Sequence, residues 1–74
     1  MEPILDVPIS DAGIRLGQFL KLAGLAEHGA AARETIEAGE VTVGGRVETR
    51  RGRQLVPGDV VAVGATRARV APAG

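Results

Sequence analysis

Gly39-Glu40-Val41-Thr42-Val43-Gly44-Gly45-Arg46-Val47-Glu48-Thr49-Arg50-Arg51-Gly52-Arg53 joins a helix stop, a β-hairpin and a run of arginines in fifteen residues. Gly39 stops a helix, and Val41 and Val43 alternate with Glu40 and Thr42 as a half-buried strand does. Gly44-Gly45 supplies the two positive-φ residues of a tight hairpin turn, and Val47 continues on the return strand. Four arginines then fall within eight positions (Arg46, Arg50, Arg51, Arg53) against the single acid Glu48. Nine basic and nine acidic residues leave the whole chain with no net charge, so this concentration of guanidinium groups is local. A planar guanidinium fork suits phosphate oxygens, which makes a nucleic-acid backbone the expected anion.

Working outward, the segment before Gly39 reads as a pair of helices. Leu16, Phe19, Leu20 and Ala23 recur at the spacing of an amphipathic helix beginning near Arg15. Gly24 closes it and Leu25 tucks back toward the core. A second helix runs from His28 or Gly29 to Ala38, with Ala32, Thr35 and Ile36 inward and Arg33, Glu34 and Glu37 outward. Ile4, Leu5, Val7 and Ile9 form an opening strand that Pro3 and Pro8 mark as irregular or at an edge. Ser10 to Gly13 is a turn, as is Pro57-Gly58. Val60–Val63 and Thr66–Val70 are the last two strands, and Ala71–Gly74 a frayed tail. The expectation is α+β: a two-helix hairpin packed on a small, mostly antiparallel sheet of four to five strands, as one domain over 1–74.

Composition removes several functional classes. Without cysteine there is neither a disulfide framework nor a thiolate metal site. The longest apolar runs fall far short of the roughly 20 residues that span a bilayer. Met-Glu-Pro is not the start of a signal peptide, so a cytoplasmic protein is expected. His28 and Ser10 are the only residues of their types, and the aspartates are scattered. No catalytic group, metal set or cofactor is therefore expected. Gly24 to Gly29 has the glycine spacing of a phosphate loop, but Ala30 and Ala31 stand where lysine and a hydroxyl are needed. Phe19, the sole aromatic, belongs to the apolar stripe, which argues against stacking of single-stranded bases.

Taken together, Arg15-Leu16, Phe19-Leu20, Gly24-Leu25, Ala32-Arg33, Ile36, Gly39, Val41-x-Val43-x-Gly45 and Pro57-Gly58-Asp59-Val60 resemble the S4 RNA-binding domain, the ribosomal-protein-S4-like family with the alpha-L motif. Leu16 to Lys21 and Val47 to Arg53 are similar to its stand-alone, YbcJ-like bacterial branch. The resemblance covers residues 14–63. It implies a non-enzymatic, monomeric binder of structured RNA, ribosomal or transfer, acting at or near the ribosome. It also implies that RNA lies across the helix pair and the first hairpin. Arg15, Lys21 and Arg33 match the family's basic positions, and the run Arg46, Arg50, Arg51 and Arg53 is expected to line one groove beside Arg33. Two positions depart from the family pattern: His28-Gly29 replaces Ser-Arg, and Gly44 replaces Asn. Gly29, Ala30 and Ala31 open the second helix with small residues, which makes the amides of Gly29 and Ala30 candidate phosphate donors, set against the plainer reading that Gly29 serves the tight turn between the helices. The alternative is a protein-interaction module that keeps the fold and has lost RNA affinity, for which Glu34, Glu37 and Glu40 near the same face are the support.

Overall fold

The computed structural model describes residues 4–73. Alternation along the first strand, β1 (Ile4–Pro8), buries Val7 and leaves Asp6 and Pro8 outside. There follow β2 (Ile14–Arg15), α1 (Leu16–Leu22), α2 (Gly29–Glu37), β3 (Val41–Val43), β4 (Arg46–Val47), β5 (Gln54–Leu55), β6 (Val60–Val63) and β7 (Thr66–Ala71). Five strands form one sheet in the order β1-β7-β6-β3-β4, and β2 pairs with β5 alone. All pairings in the main sheet are antiparallel except β1 with β7. The expected α+β class and the mostly antiparallel sheet are what is observed.

Both helices end by the same device. At the close of α1, Gly24 adopts φ +75, its amide donates to Lys21 O at 3.2 Å, and the Leu25 amide donates to Leu20 O at 2.8 Å. At the close of α2, Gly39 has φ +77 and donates to Ile36 O at 3.0 Å, while Glu40 donates to Thr35 O at 3.2 Å. These paired bonds satisfy carbonyls that the helix itself leaves open, and only glycine takes the required conformation at little cost. The chain reverses at both points, which folds α1 back on α2 and α2 onto β3.

The core lies between the helix pair and one face of the sheet. Leu16, Phe19 and Leu20 from α1 and Ala32 and Ile36 from α2 meet Val41, Val43, Val61, Ala68 and Val70 from the strands. Register explains the selection: Val43, Val61 and Ala68 lie side by side, and one residue away Thr42, Ala62 and Arg67 form the opposite row. Phe19 is fully buried, and each such side chain contributes about 1.5–3 kcal/mol by leaving water.

One expectation needs correction, and one strand pairing adds to those expected. Ala71 is not in a frayed tail: it pairs with Pro8 across the parallel ladder, and its carbonyl accepts from the Ile9 amide at 3.0 Å. Gly74, the end of that segment, lies outside the described residues, as does Pro3. The β2–β5 pair was not anticipated, and it makes Arg15 an extended residue (φ −89, ψ 154) that precedes the helix. Among the described residues no helix is long and apolar enough to cross a membrane.

Candidate nucleic-acid interface

The site begins with the amino end of α1. A helix leaves its first amides without internal partners, and here two of them reach the arginine-rich loop. The Leu16 amide donates to Arg53 O at 2.8 Å and the Gly17 amide to Arg51 O at 3.0 Å. A Cβ on Gly17 would stand 3.6 Å from Arg51 Cβ and from Arg51 O, so the loop lies directly on the helix at that point. Gln18 Oε1 accepts from the Arg15 amide at 3.3 Å, which fixes the extended residue ahead of the first turn.

A groove of about 340 Å³ opens beside this junction. Arg15, Gln18 and Lys21 recur at intervals of three and share one side of α1. Gly29 and Arg33, four apart, share one side of α2. Arg51 completes the wall from the loop, and no carboxylate lines the groove. Gly17, Gly29 and Gly52 also line it, so parts of its surface are bare backbone. The cations are Arg15, Lys21, Arg33 and Arg51, drawn from α1 and the residue before it, from α2, and from the loop. Arg33 Nε lies 3.8 Å from Glu37 Oε2, with both side chains more than half exposed. Such a surface pair holds Arg33 by at most about 1 kcal/mol.

Of the four hairpin arginines only Arg51 lines the groove. Arg46 stands exposed on β4. Arg50 and Arg53 are engaged by Glu48, which the sequence offered only as a lone acid in a basic run. Glu48 is 7% exposed and accepts from the Arg50 amide at 3.1 Å, Arg50 Nε at 3.1 Å, Arg50 Nη2 at 3.2 Å and Arg53 Nη1 at 2.9 Å. The Arg50 side chain foremost, and then that of Arg53, lower the Glu48 carboxyl to about 2. In return, the same contact raises Arg50 above its ordinary value. The expectation that all of Arg46, Arg50, Arg51 and Arg53 line one groove beside Arg33 is therefore corrected to Arg51 alone.

The amino end of α2 is also partly occupied. His28 precedes the helix in extended conformation, and its Nδ1 accepts from the Ala31 amide at 3.1 Å. His28, exposed at the entry of the helix, thus does the capping work of the hydroxyl residue it replaces. Ala31 is thereby removed from the set of open amides. Gly29 lines the groove, whereas Ala30 does not.

A second cavity, about 310 Å³, lies between the turn after β1 and the segment Gln54–Pro57, and carries Asp11 but no cation. No group of three or more histidine, cysteine or acidic side chains able to hold a metal occurs among the described residues.

A sheet carrying a helix hairpin on one face, with a basic loop bound to the start of the first helix, defines the class of protein. The S4 domain family model matches residues 7–71, and the chain belongs to that family. It is similar to the probable ribosome maturation protein RlbA of Bacillus subtilis (strain 168), at 42% identity over 57 residues, or 77% of this chain and 80% of that one. It is also similar to YbcJ of E. coli, whose solution structure is described as revealing an alpha-L motif involved in RNA binding. That match has a TM-score of 0.72 and 32% identity, and covers 96% of this chain and 91% of YbcJ.

Proposed function

We propose that the chain is a non-catalytic, cytoplasmic RNA-binding protein that acts as a monomer and recognises structured RNA through the groove between α1, α2 and the arginine loop. The observation that carries this reading is the convergence of Arg15, Lys21, Arg33 and Arg51 on one groove with no carboxylate in its wall. Cations gathered on one face are the electrostatic footprint of a nucleic-acid binder. Membership in the S4 domain family, and the RNA-binding motif described for YbcJ, support it. The name of the Bacillus relative favours ribosomal over transfer RNA as the target, on a maturing ribosomal particle.

The chemistry follows from what the groove offers. Arginine forks grip phosphate oxygens in pairs, and lysine adds a point charge. Gly29 places backbone from the first turn of α2, the positive end of its dipole, in the same wall. With Phe19 buried, no aromatic face is available to stack bases. Recognition therefore runs through the backbone and shape of a folded RNA rather than through splayed bases.

Titration with ribosomal RNA fragments at several salt concentrations tests the reading. Four groove cations predict a logarithmic salt slope of roughly three to four, and Arg51→Ala or Arg33→Ala each lowers it by about one. Absent or salt-independent binding would reject it. Retention on ribosomal proteins after nuclease treatment would instead favour the protein-interaction module.

A further inference from the structure

Glu48 is the buried charged residue of the described chain, and the RNA-binding reading leaves it without a task. It sits behind the arginine loop and contacts that loop at its backbone and at two guanidinium groups. The Arg50 amide and side chain and the Arg53 side chain all converge on its two oxygens. Between these two clamped arginines stands Arg51, whose carbonyl is held by the Gly17 amide and whose side chain lines the groove. Neighbouring residues of one loop are thus sorted: one arginine goes to the groove, and the two flanking it go to a carboxylate.

Resting on the RNA-binding reading, we propose that Glu48 is a specificity-determining residue that withdraws Arg50 and Arg53 from phosphate, confining contact to the groove and so favouring a folded RNA over any polyanion. With Glu48 ionised, the three groups together carry one positive charge instead of the two that free arginines would carry. The Arg50 side chain remains 75% exposed, so it stays within reach of a phosphate once unpaired. A loose, exposed guanidinium adds affinity for every polyanion alike, because a phosphate contact carries no sequence information and, outside a groove of fixed shape, fits any backbone. Discrimination falls when such indifferent contacts are added, and a carboxylate that occupies them in advance preserves it.

The test uses the full chain with two probes of equal length, a folded ribosomal RNA fragment and an unstructured polyuridine. Affinity is measured against salt for wild type, E48Q, R50Q and R51Q. In the proposed arrangement R51Q lowers the salt slope by about one, whereas R50Q changes it by only a few tenths. E48Q steepens the slope by about one to two, tightens polyuridine binding by about tenfold at low salt, and shrinks the preference for folded RNA by a similar factor. An R50Q effect as large as that of R51Q overturns the proposal, as does an E48Q protein with unchanged slope and preference. A purely structural role would weaken both probes together and would not steepen the slope. Circular dichroism checks that E48Q is folded. If it is not, R50Q decides, since Arg53 still holds Glu48 in that variant. Wild type that binds neither probe defeats the RNA-binding reading and this proposal with it. Wild type that binds while R50Q matches R51Q defeats this proposal alone.

Discussion

At the scale of single residues, Glu48 links the charge pattern to stability. Its carboxyl lies at about 2 in the folded protein against an ordinary 4.5, so between those values the unfolded chain binds the extra proton. The stabilisation is present in full above about pH 4.5 and drains away as pH falls toward about 2. Thermal melts across that window should show wild type losing stability on acidification, with E48Q showing a flatter profile there. Parallel profiles would mean that the clamp on Arg50 and Arg53 does not form in solution. His28 is a second single-residue device. Because its Nδ1 caps the Ala31 amide, His28→Ala should cost about 1 kcal/mol in urea unfolding, while His28→Asn should lie close to wild type. Equal losses in both variants would deny it the capping role. Neither contact is legible in the sequence: a histidine before Gly-Ala-Ala does not show which amide its ring accepts from, and a single acid among four arginines does not show which of them it holds until the fold seats it behind the loop.

Among the elements, turn chemistry was the most legible. Gly24 and Gly39 mark the helix ends because their positive φ is uncomfortable for other residues, and Gly44-Gly45 mark the hairpin for the same reason. Gly44 and Gly45 have φ +60 and +85, and a Cβ at either would meet nothing within 4 Å. Only backbone conformation restricts these sites. Gly44→Asn should therefore change stability by no more than about 0.5 kcal/mol, and Gly44→Val should cost about 1–2 kcal/mol, read from denaturant midpoints. A tolerated valine would contradict that reading of the hairpin. The pair formed by β2 and β5 was illegible because two-residue strands are too short to show a period. Ala71 was missed for a different reason. Its partner in β1 sits at the other end of the chain, and nothing local distinguishes a final strand residue from the Pro-Ala tail after it.

For the whole molecule, the question is which cations share a face when the net charge is zero. Helical spacing and the family resemblance together picked Arg15, Lys21 and Arg33, and the structure gathers all three with Arg51 into one groove. The sequence could not say which of Arg46, Arg50, Arg51 and Arg53 would join them, because that depends on a buried carboxylate and on amides donated by another helix. Whether RNA lies in this groove is read out by amide chemical-shift mapping of the labelled protein on addition of ribosomal RNA fragments. The predicted result is salt-sensitive shifts centred on Arg15, Gln18, Lys21, Gly29, Arg33 and Arg51, with Thr42, Ala62 and Arg69 on the open side of the sheet unmoved. Shifts centred on that open side, or none at all, would contradict it.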